Sequence, residues 1–339
     1  MARSSIPGFL VSLAMLIAAL VLAFTVGRYP VTLSDLFGVI AGKLTGHAPN
    51  VAPAVENVIW QVRGPRVIAA SLVGAGLAVA GTAFQGLFRN PLVSPDILGA
   101  SSGAALGAVF GIFISLGVFA VQALAFFGGV LAVASVYAVG SAVRARDPVL
   151  VLVLAGVVIG ALLGAGVGLM KYVADPYNQL PAMTFWLLGS LAATGPSDLI
   201  PLFVPVALGT LVLLMLRWRM NVMSLPDEEA RALGVPTGAL RIAIVTAATL
   251  VTSASVATAG IIGWVGLVVP HIARTLVGPD FGRLIPAAAI IGGGFLLLID
   301  TLARTAAPVE IPLGILTALV GTPFFIWLLA SVSKTWSVG

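Results

Sequence analysis

The chain has 339 residues, of which 60% are hydrophobic and only 9% are charged. An average soluble protein has roughly 45–50% apolar and about 25% charged residues, so a soluble fold of this size could not cover its surface with so few charges. The mean hydropathy of +1.14 indicates a polytopic helical membrane protein. The absence of cysteine excludes disulfides, iron–sulfur clusters and thiolate zinc sites, and two distant histidines, His47 and His271, offer little for a metal centre.

Ten segments are apolar and long enough to cross a membrane, since a crossing helix needs about 20 mainly apolar residues. The predicted spans are 9–26, 66–84, 97–114, 119–139, 149–172, 199–216, 240–258, 260–277, 284–302 and 311–329. The eighth is the weakest, because it is short, glycine-rich and contains Pro270. We expect the first span to be retained rather than cleaved as a signal peptide, because its apolar run is long.

The positions of arginine and lysine predict the orientation. With a cytoplasmic N-terminus and ten alternating spans, eleven basic residues fall on the inner side and six on the outer side, in agreement with the positive-inside rule. Both termini are then cytoplasmic. This asymmetry, rather than nucleic-acid binding, accounts for the net charge of +5 and the isoelectric point near 10.1.

The longest polar inner loop, from about 217 to 241, contains a short predicted helix. Pro226 begins it, acidic residues occupy its first turn, where the helix dipole favours them, and Gly234 follows as a stop. One interpretation is a solvated loop helix, and the other is a docking element for a cytoplasmic partner.

Two features of glycine spacing concern the packing of the spans. Glycines recur every four residues in two series, Gly99–Gly111 and Gly156–Gly168, and each series predicts a helix face on which backbones approach closely. A faint repeat is also present, since Gly81 and Pro91 have the same separation as Gly260 and Pro270. Two matched halves are common in transporters.

The sequence contains little that could perform catalysis. It has no P-loop for ATP, no zinc-protease motif and no nucleophile elbow. Two charged pairs, Lys171 with Asp175 and Asp300 with Arg304, are four residues apart and could each pair on one helix face. A proton-coupled carrier usually has acidic groups deep in the bundle, whereas these lie near predicted helix ends.

Several sequence runs, in one order along nearly the whole chain, resemble FecCD-type permeases, the membrane subunits of binding-protein-dependent ABC importers for ferric siderophores, haem and cobalamin. The runs are RGPR at 63–66, QGLFRNPL at 85–92, SPDILG at 94–99, WLLGS at 186–190, ARALGV at 230–235, GIIGWVGLVVPHIAR at 260–274, DTLAR at 300–304 and the segment 310–329. Trp264 stands where the family often has phenylalanine.

The resemblance implies the fold, the partners and the location. The expected fold is an all-α polytopic membrane protein of the cobalamin-importer type (a type II ABC importer), with about ten helices in a single transmembrane domain over 1–339. Expected partners are a second copy of this chain, two cytoplasmic ABC ATPases that bind the ATP and magnesium, one extracytoplasmic binding protein and membrane lipid, but no nucleic acid. This chain itself should bind no cofactor and no metal, should not be an enzyme, and should lie in the bacterial inner membrane.

The resemblance also implies the roles of particular residues. It places the ATPase contact in the inner loop, about 220–238, at Ala230, Arg231, Leu233, Gly234 and Val235. It places the pathway at the dimer seam, lined by span five, the region 180–189 and span ten. The candidate pathway and gate residues are Trp186, Gly189, Pro312, Leu313, Gly314, Thr317 and Pro323.

Arg63, Arg66 and Arg304 fall at predicted outer helix ends, where basic residues are normally depleted. They could extend toward lipid headgroups, or pair with Glu56, Asp300 or Glu310 of this chain. The resemblance implies instead that they grip acidic residues on the two lobes of the binding protein, for which the fork of a guanidinium is suited.

Two classes of function therefore stand against each other, an ABC permease and a secondary transporter driven by an ion gradient. The inner-loop helix and the lack of deep acidic residues favour the permease. The substrate is open among ferric siderophore, haem, cobalamin and an oxyanion such as molybdate, with an iron chelate the commonest cargo in the family.

Overall fold

The computed structural model describes residues 6–46, 51–143 and 148–336, with side chains to Leu328. Within these ranges the regular structure is helical. The helices are α1 (Ile6–Thr25), α2 (Leu33–Thr45), α3 (Pro53–Asn57), α4 (Gly64–Leu87), α5 (Ala100–Phe113), α6 (Val118–Ala142), α7 (Pro148–Val173), α8 (Gln179–Leu188), α9 (Pro196–Val222), α10 (Asp227–Ala232), α11 (Thr237–Ala259), α12 (Val265–Val277), α13 (Phe281–Thr305) and α14 (Leu313–Trp336).

The all-helical prediction is confirmed, and the apolar helices are consistent with about ten spans. Seven described helices are long and apolar enough to cross a membrane, and α5, α12 and α14 are shorter apolar helices. Together they follow the ten predicted spans in order. The predicted eighth span starts five residues too early, since α12 begins only at Val265. The preceding residues are not helical, and Gly260 has a φ of +71°.

The loop between α1 and α4, on the predicted outer side, holds structure that span prediction missed. It contains α2, α3 and a π-helical turn, Val58–Arg63, that runs directly into α4. Helix α2 has a complete capping box, in which the Thr32 hydroxyl accepts from the Asp35 backbone while the Asp35 carboxylate accepts from the Thr32 backbone. At 13 residues it is too short to cross the membrane, which is why a search for spans does not find it.

The core is built by α4, α11 and α13, whose most apolar windows are 78%, 72% and 72% buried. Helix α4 crosses α12 at two glycines, where a Cβ on Gly81 would lie 2.1 Å from the carbonyl oxygen of Gly266. The Gln85 amide also donates to that oxygen at 3.2 Å. Gly81 and Gly266 belong to the two segments of the sequence repeat, so these segments pack on each other.

The two glycine series behave differently. The first packs as predicted, because a Cβ on Gly103 would lie 2.2 Å from the Gly128 carbonyl oxygen, across the α5–α6 contact. The second packs closely within this chain only at its start, where Gly156 lies against the backbone of the 95–98 turn. A Cβ at Gly160 would be 3.7 Å from the Ser102 hydroxyl. At Gly164 and Gly168 a Cβ would meet no described atom within 4 Å. The end of this series therefore makes no close contact with the described part of this chain, and its predicted packing stays a prediction.

The charged residues collect at the two ends of the bundle. Arg89, Asp227 and Arg241 meet at the predicted inner end, and Arg66, Asp300, Arg304 and Glu310 meet at the predicted outer end. Three of the basic residues counted on the predicted inner side, Arg3, Arg144 and Arg146, lie outside the described ranges, as does His47. The side chain of Lys334, which is also counted there, is not described. The orientation itself stays a prediction.

The two predicted i,i+4 pairs have different outcomes. Asp300 and Arg304 pair at 3.2 Å on α13. Lys171 and Asp175 lack the helix that they need, because α7 ends at Val173. Asp175 instead accepts from the side chain of Asn178 at 2.7 Å and closes the turn before α8.

Candidate translocation pathway and its two ends

The inner-loop helix predicted from 226–235 is present as α10, and the residues at its end point in two directions. Ala230 is 1% exposed and Val235 is 4% exposed, so both pack into the chain itself. Leu233 is 59% exposed. Gly234 has a φ of +80° and open space around its Cα, a conformation that suits glycine. Arg231 is also exposed and donates to the Thr237 hydroxyl at 3.1 Å. Of the residues expected to touch the ATPase, Arg231, Leu233 and Gly234 are therefore the accessible ones.

The carboxylate of Asp227 anchors α10 to the rest of the chain. It accepts from Arg89, in the turn after α4, at 2.5 Å and from Arg241, on α11, at 2.9 Å. Partial burial would raise the pKa of Asp227, but the hydrogen bond from Arg241 and the charges of both arginines outweigh it and hold the pKa below its usual value. The short helix is thus tied to two spans at once.

A cleft of about 680 Å³ opens where α8 ends, beside the 260–264 connection and α14. Backbone hydrogen bonds join these three elements. The Ser190 amide donates to the Ala259 carbonyl at 2.8 Å, and the Leu313 amide donates to the Gly189 carbonyl at 3.0 Å. The residues lining the cleft are Leu187, Leu188, Ile261, Gly263, Trp264, Gly314, Ile315, Ala318, Leu319, Thr322 and Pro323.

The predicted pathway residues divide between this cleft and its surroundings. Gly314 and Pro323 line the cleft, and Trp186 lines a neighbouring cavity of about 560 Å³ between α5, α6, α8 and α9. Leu313 and Thr317 are 1% and 0% exposed and face the protein interior. The two remaining residues, Gly189 and Pro312, accept backbone hydrogen bonds at the start of α14. The carbonyl of Gly189 accepts from the Leu313 amide, and that of Pro312 accepts from the Ile315 amide.

Trp264 forms part of the cleft wall in an unusual conformation. Its φ of +71° lies in the left-handed region, which bulky residues rarely adopt and which costs of order 1–3 kcal/mol. Its indole ring lies over Gly321 of α14, where a Cβ would come within 2.6 Å of it, and contacts Phe325 edge-on at 6.1 Å. The sequence shows that tryptophan replaces the usual phenylalanine at position 264, but it does not show that this residue lines the cleft.

The three outer arginines are buried rather than presented on the surface, since Arg63, Arg66 and Arg304 are 4%, 8% and 9% exposed. Arg66 bonds Asp300 at 2.8 Å and Glu310 at 2.9 Å. Arg304 is the i+4 partner of Asp300. These contacts correspond to the in-chain pairing that the sequence left open.

The same arginines hold the outer loops in place. Arg63 donates to the carbonyls of Phe24 and Tyr29, and Arg304 donates to the carbonyl of Ala23. Glu310 precedes α14, so its bonds to Arg66 fix the start of that helix relative to α4. Partial burial would raise the pKa of Glu310, but the hydrogen bonds and charge of Arg66 hold it below its usual value.

Sequence reasoning missed three parts of this arrangement. The anchor of α10 joins residues that are far apart in sequence. The strained backbone of Trp264 has no sequence signal beyond the departure from the family's phenylalanine. The third part is Arg28, which no sequence motif marks. Arg28 is exposed at the predicted outer end and donates to the Pro308 carbonyl at 2.5 Å. In the part of the chain that the structure describes, no group of three or more His, Asp or Glu residues could hold a metal ion.

Comparison with known proteins places this geometry in a family. Residues 15–331 match the FecCD transport family. The chain is 38% identical over 311 residues to the molybdate import system permease MolB of Haemophilus influenzae, covering 92% of this chain and 91% of that protein. It is 41% identical over 283 residues to the hemin transport system permease HmuU of Yersinia pestis, covering 80% and 83%.

A solved structure gives the same result for the fold. A metal-chelate type ABC transporter in an inward-facing conformation superposes with a TM-score of 0.86 at 36% identity, covering 96% of this chain and 99% of that chain. With ten ordered spans, a family match over nearly the whole length and no ATP-binding motif in its sequence, this chain belongs to the FecCD transport family of ABC importer permeases.

Proposed function

We propose that this chain forms a homodimeric permease that carries a metal chelate, with a ferric siderophore as the first candidate and haem or cobalamin next, across the bacterial inner membrane. Two cytoplasmic ATPases drive it and one extracytoplasmic binding protein delivers the cargo. Both termini lie in the cytoplasm, and the whole chain forms one transmembrane domain. An ion-gradient-driven carrier is the disfavoured alternative.

The observation that carries the proposal is an uncovered face on α7. Helix α7 is only 17% buried over its most apolar window, and its Gly164 and Gly168 face open space. Small residues on such a face permit a second helix to approach closely in a bilayer. A second copy of the chain would cover this face and turn the open cleft beside α14 into an enclosed pathway.

The chemistry of the cleft supports a bulky, shielded cargo. None of its eleven lining residues carries a charge. A bare cation or a small oxyanion needs polar or charged groups to replace its hydration shell, whereas a metal inside an organic chelate presents the chelate instead. This argument favours an iron chelate over molybdate, although a relative at 38% identity carries a molybdate name.

We assign the coupling to the ATPase to the exposed end of α10. Leu233 is 59% exposed, and a side chain added at Gly234 would have open space. A groove on the ATPase can therefore receive both residues. Replacing Gly234 by a bulky residue should uncouple ATP hydrolysis from transport, while the same change at Ala230 should disturb the fold of the loop first.

The role of the outer arginines in docking stays a prediction, and their burial specifies its mechanism. We propose that Arg63, Arg66 and Arg304 shape the loops 26–32 and 306–312, and that these loops touch the binding protein. Under this mechanism Arg28→Glu, an exposed change, weakens docking in a salt-sensitive manner. Arg66→Glu weakens the permease itself, which thermal unfolding without the binding protein measures.

The decisive experiment is uptake in proteoliposomes that contain the permease with or without its ATPase and binding protein. Ferric siderophore, hemin, cobalamin and molybdate are offered in parallel. We expect uptake only with both partners and ATP, no effect of dissipating ion gradients, and no uptake with an ATPase whose catalytic glutamate is replaced by glutamine. Uptake by the permease alone, driven by an imposed ion gradient, would overturn the proposal.

The pathway has its own test, which the absence of cysteine makes simple. Single cysteines along 313–324 should react with water-soluble thiol reagents at the cleft positions Gly314, Ala318 and Thr322. They should be protected at the buried positions Leu313 and Thr317. Uniform protection along the segment would remove α14 from the pathway.

A further inference from the structure

Helix α2, in the outer loop between the first two spans, has two different apolar faces. One face, with Leu36 and Val39, is buried against a small cluster that includes Val55 and Ile59. The other face is exposed and carries four large apolar side chains, whose exposed fractions are 44%, 67%, 39% and 81%; they are Leu33, Phe37, Ile40 and Leu44. We call this set the α2 stripe.

The spacing of the α2 stripe is that of a single helix face. Its members are separated by four, three and four residues, which places them on one side of a helix. Polar residues of α2 lie elsewhere on its circumference, with Ser34 and Thr45 about a quarter to a third of a turn away. An exposed stripe of this kind on an ordered, capped helix requires an apolar cover.

The position of α2 relative to the membrane follows from its contact with the end of α1. Phe24, in the last turn of α1, packs against the same cluster that holds Leu36 and Val39. Only seven residues, 26–32, separate the two helices. Because α1 crosses the membrane and Phe24 is one residue from its end, α2 lies beside the point where the hydrocarbon core meets the headgroups.

We infer that α2 is an interfacial helix, whose stripe is inserted among the acyl chains and headgroups of the outer leaflet. Amphipathic helices in this position bury an apolar face several ångströms into the headgroup boundary. Lys43, exposed at the end of α2, can extend its ammonium group to lipid phosphates. Trp60 is 38% exposed in the π-helical turn before α4, and tryptophan is enriched at this level of membrane proteins.

Two other covers are less consistent with the same residues. A binding protein docks and leaves in every cycle, and transient interfaces are no more apolar than the rest of a protein surface, so it would leave four large apolar side chains in water between cycles. A second copy of the chain is proposed to cover α7, which packs on α5 and α6, whereas α2 is attached to α1, which packs on α13 and α12.

The test uses nitroxide labels on single cysteines in the otherwise cysteine-free full-length chain, reconstituted in phospholipid nanodiscs without partners. Collision with molecular oxygen, which concentrates in lipid, is compared with collision with a water-soluble nickel chelate. Labels replace Phe37, Ile40 and Leu44 of the stripe, and matched controls on the same helix replace Ser34 and Thr45. A label at Ile17 of α1, which is 52% exposed, gives the lipid reference.

We expect a higher ratio of oxygen to nickel collisions at the three stripe positions than at the two controls, approaching the ratio at Ile17. Frequent nickel collisions at the stripe would place it in water and overturn the inference. Rare collisions with both reagents at the stripe would show that protein covers it, and would also overturn the inference. Neither result depends on transport, so a failure of the proposed function would leave this test unaffected.

Discussion

Removing the carboxylate of Asp227 should release α10 from the bundle without unfolding the permease. The change Asp227→Ala keeps a residue that favours helix formation and deletes both ion pairs of the anchor. The side chain of Arg241 is 8% exposed, and its Nε has no hydrogen-bond partner in the described ranges. Asp227 is therefore the acceptor on which this buried cation depends.

The size of the effect follows from these burials. Leaving the buried Arg241 without an acceptor costs about 1–3 kcal/mol. The pair with Arg89, whose side chain is 35% exposed, adds only about 0.2–1 kcal/mol because solvent screens it. The sum of about 1–4 kcal/mol shifts the equilibrium between attached and released α10 by roughly tenfold to several hundredfold, since about 1.4 kcal/mol is a factor of ten.

The assay compares Asp227→Ala with Glu228→Ala in the purified permease and in the reconstituted transporter. Glu228 is an exposed carboxylate in the same first turn, so both variants lose one charge at the helix N-terminus. We expect Asp227→Ala to lower the melting temperature and the number of substrates moved per ATP, with Glu228→Ala close to the unchanged protein. Equal behaviour of the two variants would refute the anchor.

A second substitution separates two effects of Asp227→Ala, the release of α10 and the cost of an unpaired buried arginine. Arg241→Met, added to Asp227→Ala, removes the cation that would otherwise be left unpaired, and such replacements are often neutral or stabilising. Melting temperature should therefore recover while coupling stays low. Recovery of both would mean that Asp227 acts on stability alone.

The remaining predictions concern the helix crossing, the cleft, the outer end and the effect of pH. Gly81→Leu should prevent the close approach of α4 and α12 and abolish folded protein on size-exclusion chromatography, because its Cβ would lie 2.1 Å from a backbone oxygen; a folded variant would show that the crossing can open. Gly321→Ala should displace the indole of Trp264 and change the rate of uptake with little change in melting, and an unchanged rate would exclude that indole from the pathway. Glu310→Gln should destabilise the permease by about 1–3 kcal/mol, the value for weakening a bond to a buried cation. The melting temperature should therefore fall even without the binding protein. An unchanged melting temperature would mean that Asp300 alone satisfies Arg66. Because the pKa of Asp227 is held below its usual value, the stability that it contributes is complete above the pKa of the unfolded carboxyl and is lost as the pH falls through the lower folded pKa. The melting difference between the unchanged protein and Asp227→Ala should therefore stay constant from about pH 5 to 8 and shrink below about pH 4.

The ten spans could be predicted because each is specified by its own residues. Hydrophobic length identifies a span without knowledge of its neighbours, and the short α10 was predicted from Pro226, its acidic first turn and Gly234. The start of α12 was predicted too early because the 260–264 connection is apolar but not helical. Hydropathy shows only that the 260–264 connection is apolar. Its non-helical backbone packs against the end of α8, and a hydropathy search cannot detect that contact.

The contacts of the candidate site could not be predicted in the same way, because they depend on distances between remote residues. Charge spacing identified Asp300 with Arg304, which are four residues apart. The pair of Arg66 and Asp300, which are 234 residues apart and 2.8 Å from each other, was only one of several pairings that the sequence left open. The glycine series gives the same lesson, since one spacing rule describes both Gly103, which touches Gly128, and Gly164, which faces open space. The glycine spacing predicts a helix face without side chains. Only the three-dimensional structure shows which element, if any, packs against that face.

The two charged clusters each join a span to a loop or to a helix start at one end of the bundle. At the inner end, Asp227 joins the loop helix α10 to α11 and to the turn after α4. At the outer end, Arg66 of α4 holds Glu310, next to the start of α14, and Asp300 of α13. Helix α4, the most buried span, is thus attached at one end to the proposed ATPase contact and at the other to the helix beside the cleft. A buried helix joined to both sites suits mechanical coupling across a membrane. Helix α4 meets this condition, and so does α11, through Arg241 at one end and the bond from Ser190 to Ala259 at the other.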